Sequence, residues 1–388
     1  MELPHMKIGV LTPSIYMYEK RYKDRIFAPG DLARALVAGL TAQGNEVSWF
    51  TAPEDARGST LVPGNEELLT GDLQFRVFQD MPQALRDTVS LYGTKMYYEL
   101  DLVARAYATA QREHIQVMHN FHSFGYFAHF FQELTGIPTV YTFHDPVPTD
   151  LMLERWLLDR FPTHKFISIS NSQRGKYAEH FMGTVYNGID PERFPFDAAG
   201  GNRLVSVGRM IPEKGHDIAI SAAKAQGTGL TIASWVSDSV KNSVYYKEKI
   251  APFIDGKSIV LNSLMQGTGL AEVYQKSKAL LFPLQWEEPF GLVMVEAMSA
   301  GTPVIAYNRG SAAEVVADGV TGFIIDPDDT DRPGKGTWKI KKQGVEGLAE
   351  AIQRVGELDR AACRKRVEEH FTIRTMVAGY EAMYSKAT

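Results

Sequence analysis

Short apolar runs alternate along the chain with longer amphipathic stretches. Lys7-Ile8-Gly9-Val10-Leu11-Thr12-Pro13 is a compact apolar run closed by proline, the pattern of a strand buried on both faces. A polar loop rich in Tyr, Lys and Arg follows, residues 14–29. Gly30 to Leu40 then carries Leu32, Leu36 and Leu40 at helical spacing, which predicts an amphipathic helix. Gln43-Gly44-Asn45 turns the chain into a second strand, Glu46–Thr51. Strand, helix, strand in this order is a βαβ unit with a right-handed crossover. Val117–Asn120, Thr139–Asp145 and Lys165–Asn171 continue the series, ending in His119-Asn120, His144-Asp145 and Ser170-Asn171. Doubly wound sheets bind ligands beyond the carboxyl ends of their strands, so these polar ends are candidate ligand positions.

Val185–Phe194 carries the turn pairs Asn187-Gly188 and Asp190-Pro191, and residues 195–202 (PFDAAGGN) read as a linker. The alternation restarts at Arg203–Arg209. Leu230–Ser234, Ser258–Leu261, Ala279–Pro283, Pro303–Ala306 and Gly322–Ile325 read as strands, with helical segments such as Glu272–Ser277 and Val293–Ala300 between them. The tail, Thr372–Tyr384, shows helical periodicity through Met376, Tyr380 and Met383. At roughly 150 residues per domain, 388 residues allow two large domains or three small ones. The pattern selects two: residues 1–194, and residues 195–370, with a C-terminal helix in 371–388 crossing back to the first. No residue-level internal repeat is visible.

Composition narrows the class. A hydrophobic fraction of 44% with 22% charged residues excludes disorder for the bulk of the chain. Lys and Arg number 41 against 46 Asp and Glu, a net charge of -5, which argues against a dedicated nucleic-acid binder. A single cysteine, Cys363, forms neither an internal disulfide nor a cysteine-rich zinc site and fits a reducing compartment. The N-terminal apolar run is too short for a signal peptide. No run approaches the ~18 apolar residues of a transmembrane helix, and the most apolar long window, Gly291–Ala306, contains Glu296. These features lead one to expect a cytoplasmic protein without a transmembrane segment. They leave room for a weak peripheral membrane contact.

Three constellations could carry chemistry. Gly208-Arg209-Met210-Ile211-Pro212-Glu213-Lys214-Gly215 links a strand to a helix near His216-Asp217. Its two cations suit a diphosphate, Arg as a planar fork and Lys as a point charge; a solvated loop is the alternative. In Trp286-Glu287-Glu288-Pro289-Phe290-Gly291-Leu292, Pro289 fits a first helical turn. The amides of Phe290, Gly291 and Leu292 would then face an anion. Glu288 could equally be a charge at the helix start. Glu296 lies among Val293, Val295, Ala297 and Met298, where a carboxylate should be paired or ligand-facing. His144-Asp145 at a strand end is the third. His119 and His122 are better read as structural than as metal ligands. Gly334-Lys335-Gly336-Thr337 lacks the phosphate-loop frame.

Arg209 to Gly215, followed by Glu288-Pro289-Phe290-Gly291-Leu292 and Glu296 to Ala306, resembles glycosyltransferase family 4. Val185–Asp190 and Gly310–Phe323, with Glu314 and Gly319, extend the likeness. The resemblance spans the chain and is strongest from Asn187 to Phe323. It implies an α/β architecture of GT-B fold, two doubly wound Rossmann-like domains facing each other across a cleft. The first would be the acceptor side and the second the donor side. It implies that Arg209 and Lys214 neutralise the donor diphosphate with the amides of Phe290, Gly291 and Leu292. Glu296 would receive the ribose hydroxyls and Glu288 the hydroxyls of the transferred sugar. His144 would line the sugar site, and Gly30 would lie near the phosphates.

The activity so implied is retaining transfer of a sugar, of hexosyltransferase type, from a nucleotide-diphosphate sugar such as a UDP-sugar to an unidentified acceptor hydroxyl. The displacement would be front-face, without cofactor or divalent metal, in carbohydrate biosynthesis. A glycoside phosphorylase or sugar-nucleotide epimerase on the same scaffold is the near alternative. A two-lobed sugar-binding protein without catalysis is the distant one. A nicotinamide oxidoreductase would need G-x-G-x-x-G between a strand and a helix, which neither half has.

Overall fold

The computed structural model describes residues 5–12, 17, 28–70, 94–121, 126–147, 153–263, 268–328 and 336–388. Its strands are β1 (Lys7–Leu11), β2 (Glu46–Thr51), β3 (Thr60–Pro63), β4 (Val117–Asn120), β5 (Thr139–Thr142), β6 (Lys165–Ser168), β7 (Phe181–Thr184), β8 (Arg203–Val207), β9 (Leu230–Ala233), β10 (Ile259–Asn262), β11 (Ser277–Phe282), β12 (Val304–Tyr307) and β13 (Gly322–Ile325). Among the described residues they form two sheets, ordered β3-β2-β1-β4-β5-β6-β7 and β10-β9-β8-β11-β12-β13. The pairings within both sheets are parallel, for example Val10 with Trp49 and Ile305 with Phe323. Parallel strands connected by helices are covered on both faces, which is why β1, β4, β5, β12 and β13 are buried along almost their whole length.

Tertiary contacts divide the chain into two compact units. The first is Met1–Ile169, Arg174–Val185 and Met376–Thr388; the second is Ser170–Gln173 and Tyr186–Thr375. The passage between them falls at Val185 and Tyr186, ahead of the boundary expected near residue 195. The Pro/Gly-rich stretch expected as a linker is packed into the second unit. The Asp197 amide bonds the Ala300 carbonyl at 3.2 Å, Gln275 donates to the Pro195 carbonyl, and Arg360 donates to the Asp197 carbonyl.

In the first unit the core gathers Leu11, Phe50, Tyr107, Met118, Tyr141 and Phe166. The end of the C-terminal helix, Ile373–Ala387, joins it: Tyr384 bonds His119 Nδ1 at 2.7 Å, and Glu381 accepts from Asn45 at 2.7 Å. His119 is fully buried, with its other ring nitrogen on Thr142 at 2.8 Å. Its position at a strand's carboxyl end therefore serves this helix and leaves no ring nitrogen for a ligand, which corrects the expectation for that strand end. The strand expected through Asp145 stops at Thr142. β3 and β7, at the two edges of the sheet, were not anticipated.

In the second unit the core is Leu204, Ile220, Ile232, Leu281, Ile305, Phe323, Leu348 and Ile352. Ile340 belongs to it, only 3% exposed. The segment around Ile340 is thus fastened to the second unit. Trp338 Nε1 and Asn308 Nδ2 both donate to Asp326, each at 3.0 Å. The helix expected to run to Ser277 ends at Gln275, and Ser277 starts β11. Tyr16, Tyr18, Lys20, Arg21, Tyr22, Lys23, His122, Gly334 and Lys335 lie outside the described residues. No helix among the described residues is long and apolar enough to cross a membrane.

Four buried histidines are kept neutral by burial. His119 is lowered to about 3, His129 to about 2 and His216 to about 4, and His164 is lowered. Unfolded, each would titrate near 6.5, so below that pH the unfolded chain binds more protons. Stability therefore falls as pH drops from about 6.5, by up to about 1.4 kcal/mol per pH unit for each fully buried histidine. Three of the four lie in the first unit. Calorimetric scans from pH 7.5 to 5 should show a falling transition temperature, led by a transition assigned to that unit. A flat profile would contradict this.

Candidate functional site

The second sheet reverses its winding beside β8. The chain runs outward from β8 to β9 and β10, then returns to the other side of β8 with β11, β12 and β13. Connections diverge at such a switch point and leave a crevice at the carboxyl ends. Three segments leave strands there: residues 208–215 after β8, 283–291 after β11 and 308–311 after β12.

Backbone contacts tie these segments together. The Gln285 amide donates to the Glu213 carbonyl at 2.9 Å, and the Ser311 amide to the Glu288 carbonyl at 2.9 Å. Ser311 Oγ donates to the Phe290 carbonyl at 2.6 Å, and the Gly310 amide to Glu287 Oε2 at 2.5 Å. Gly310 has φ +55°, and a Cβ there would sit 2.1 Å from the Glu288 carbonyl oxygen. Only glycine meets both conditions without displacing that backbone. Phe290 anchors the loop from below, 2% exposed, against Tyr186 and Phe371 at ring separations of 6.1 and 5.8 Å.

On this scaffold Lys214 and Glu288 meet. Lys214 Nζ lies 2.7 Å from Glu288 Oε2, and each side chain is 13% exposed. Trp286 Nε1 donates to the same oxygen at 3.1 Å, and the ammonium lies 4.7 Å from the centre of a Trp286 ring. An ion pair this withdrawn from water needs such further partners to offset desolvation. Arg209 is exposed on the same loop. Beneath it His216 is fully buried, with Nδ1 2.8 Å from Ser206 Oγ and Nε2 3.1 Å from the Arg209 carbonyl. A carbonyl only accepts, so Nε2 carries the proton and Nδ1 accepts from Ser206. The neutral imidazole thereby fixes the backbone that presents Arg209.

The helix after this loop is Leu292–Ser299, with Gly291 as its N-cap at φ +79°. Pro289 therefore precedes the helix instead of occupying its first turn, a correction to the sequence reading. The left-handed Gly291 sets the helix start four residues beyond Glu288. Among the described residues the amides of Phe290, Gly291 and Leu292 have no acceptor. The orphan donors of a helix start favour an anion. Glu296 projects from the same helix, half-buried, and accepts from the Tyr274 hydroxyl at 3.0 Å. Burial and the nearby Glu296 carboxylate hold the Tyr274 hydroxyl well above the usual tyrosine range, so it stays a donor and pins Glu296.

The structure thus gathers Lys214, Glu288, Phe290, Gly291 and Leu292 on connected loops of the second unit, with Arg209 and Glu296 on the flanking segments. His144 and Gly30 lie in the first unit. His144 follows β5, half-buried and edge-on to Phe121 at 4.6 Å. Gly30 is buried in the first turn of the helix Ala28–Ala42. Trp286, His216, Ser311 and Tyr274 were not singled out from the sequence. Their partners lie up to 72 residues away, and only the fold reveals them. Among the described residues no cluster of three His, Cys, Asp or Glu side chains is arranged to hold a metal ion.

A family model described as Glycosyl transferases group 1 matches residues 190–354, and one described as Glycosyltransferase Family 4 matches residues 31–193. Glycogen synthase of Mycobacterium tuberculosis is 31% identical over 236 residues, which cover 55% of this chain and 50% of that protein. D-inositol 3-phosphate glycosyltransferase of Mycolicibacterium smegmatis is 28% identical over 239 residues, covering 58% and 50%. The chain spans about half the length of these curated relatives. Among solved structures, Anabaena Alr3699/HepE in complex with UDP and glucose superposes with a TM-score of 0.68 at 17% identity, covering 98% of this chain and 100% of that one. Sucrose-phosphate synthase from Thermosynechococcus elongatus gives 0.67 at 18%, covering 98% of each. These likenesses establish the GT-B fold.

Gly310→Ala should be far costlier than Gly136→Ala. Both positions have positive φ, but nothing lies within 4 Å of a Cβ at Gly136. Left-handed strain alone costs roughly 1–2 kcal/mol, and Gly310→Ala adds a backbone clash. Thermal unfolding of the two variants checks this, and equal losses would disprove the clamp on Glu288.

Proposed function

The chain belongs to the family 4, group 1 glycosyltransferases, and from that premise we propose that it moves a sugar from a nucleotide-diphosphate donor to an acceptor hydroxyl, with retention and without a divalent metal. One observation carries the reading. At the switch point of the second sheet, a partly buried Lys214–Glu288 pair adjoins a helix start whose amides at Phe290, Gly291 and Leu292 are open to an anion. A diphosphate carries the charge those donors lack, and a sugar carries the hydroxyls a carboxylate accepts. One superposable protein also supports it: Anabaena Alr3699/HepE is solved with UDP and glucose and with UDP-glucose.

In this reading the donor diphosphate lies on the three amides, Lys214 and Arg209. Fixed donors of this kind stabilise a leaving group without reorganisation, which is the role a metal would otherwise fill. Glu296, pinned by Tyr274, receives the ribose hydroxyls, and Glu288 those of the transferred sugar. His144 and Gly30 are carried into the proposal by the family resemblance alone. The bond between the anomeric carbon and the β-phosphate oxygen breaks as the acceptor oxygen bonds that carbon from the same face. The acceptor's proton passes to the departing phosphate. No side chain becomes a covalent nucleophile.

The test is incubation with UDP-, GDP- and ADP-sugars, with acceptor, with inorganic phosphate and with neither. Transfer to a hydroxyl, an unchanged anomeric configuration by NMR, and a rate insensitive to EDTA are expected. Inversion of the anomeric centre would end the retaining assignment. Release of sugar phosphate would favour a phosphorylase, and a changed donor without acceptor an epimerase. Lys214→Ala and Glu288→Ala should each lower turnover at least about 10²-fold. Near-normal rates would remove their assigned roles.

A further inference from the structure

Glu288 and Lys214 have separate duties in the proposed reaction, yet they neutralise each other when no donor is present. The contact is close, 2.7 Å between Nζ and Oε2, and mostly shielded from water. The same carboxylate oxygen also accepts the Trp286 indole N–H at 3.1 Å. Trp286 thus serves two partners: its N–H holds the anion, and its ring face lies 4.7 Å from the cation. Phe282 adds a second ring at 5.9 Å. The ammonium is held by one anion and two aromatic faces, an arrangement that can exchange its anion without moving the rest.

The geometry points to a charge exchange that couples donor recognition to the readying of Glu288, with Trp286 as the positioning residue. It rests on the donor reading above. A diphosphate offers Lys214 more negative charge than one carboxylate, and it is anchored independently by the amides of Phe290, Gly291 and Leu292. When the ammonium turns to the phosphate, Glu288 Oε2 regains a lone pair for a sugar hydroxyl. The Trp286 N–H stays on that oxygen, so the carboxylate keeps its aim as it changes partner. Without a diphosphate, Glu288 remains engaged by Lys214. A free sugar therefore competes poorly for it, and the site is biased against binding sugar alone.

The exchange makes a prediction opposite in sign to that of a simple contact. Glu288→Gln removes the competing charge while preserving shape. Lys214 is then left without its anion, and the folded protein should melt earlier. UDP should bind at least about tenfold tighter, the worth of one charge-assisted hydrogen bond. Sugar transfer should nonetheless fall. Trp286→Phe keeps a ring for Lys214 and removes the N–H. It should lower kcat while shifting the KM for donor and the UDP affinity little.

Calorimetry with UDP, with GDP and ADP as parallel probes, decides the matter on the unaltered chain and the two variants. Tighter nucleotide binding by Glu288→Gln, together with a kcat-only defect in Trp286→Phe, supports the exchange. Unchanged or weaker binding by Glu288→Gln overturns it while leaving the donor reading intact. Equal losses in kcat and UDP affinity for Trp286→Phe remove its positioning role. Failure of the unaltered chain to bind any of the three nucleotides sinks the donor reading, and the exchange with it.

Discussion

The Glu288 carbonyl, fastened to the Ser311 amide and pressed against Gly310, fixes where everything else in the second unit's site can be. A wholly parallel sheet reversing its winding at β8 and β11 leaves its carboxyl ends open. The loops there have no strand partners, so their own contacts must hold them. The structure meets this need with main-chain bonds between loops, a buried phenylalanine under the amides, and glycine where two backbones touch. Once that segment is placed, Glu288 meets Lys214, and the next helix starts with its donors free.

The electrostatics follow from this placement. The net charge of -5 conceals a local arrangement in which cations and orphan amides sit at the carboxyl ends of one sheet's central strands. Lys214 is compensated by the Glu288 carboxylate, whereas Glu296 is pinned by a phenol that stays protonated. Below them a neutral His216 stiffens the loop without adding charge. Its burial keeps a positive charge off the imidazole, so His216 adds no cation beside Lys214 and Arg209.

Much of this was readable from the chain. The apolar runs marked the strands of both sheets, because parallel strands covered on both faces cannot hide their composition. The edge strands β3 and β7 escaped notice because they are short and only partly buried. Lys214, Glu288 and the amide segment were visible because a motif confines them to a few residues. Their supports were not. His216 depends on Ser206, Glu296 on Tyr274, and Phe290 on Ser311, contacts that exist only once distant segments pack. Pro289 misled because a proline suits a helix's first turn, but the left-handed Gly291 starts the helix later. The polar strand end at His119 suggested a ligand position, yet the C-terminal helix occupies it, in keeping with the reading of His119 itself as structural. Ile340 shows that a polar stretch can still lodge one residue in the core.

The central claim is that a nucleotide diphosphate docks on the free amides after Glu288 and on the Lys214 loop. Residue-resolved hydrogen exchange of the whole chain, with and without saturating UDP, tests it most directly. Slowed exchange is expected at the amides of Phe290, Gly291 and Leu292 and within residues 208–216. Bound UDP that leaves those amides exchanging as before, with protection confined to other segments, would contradict it.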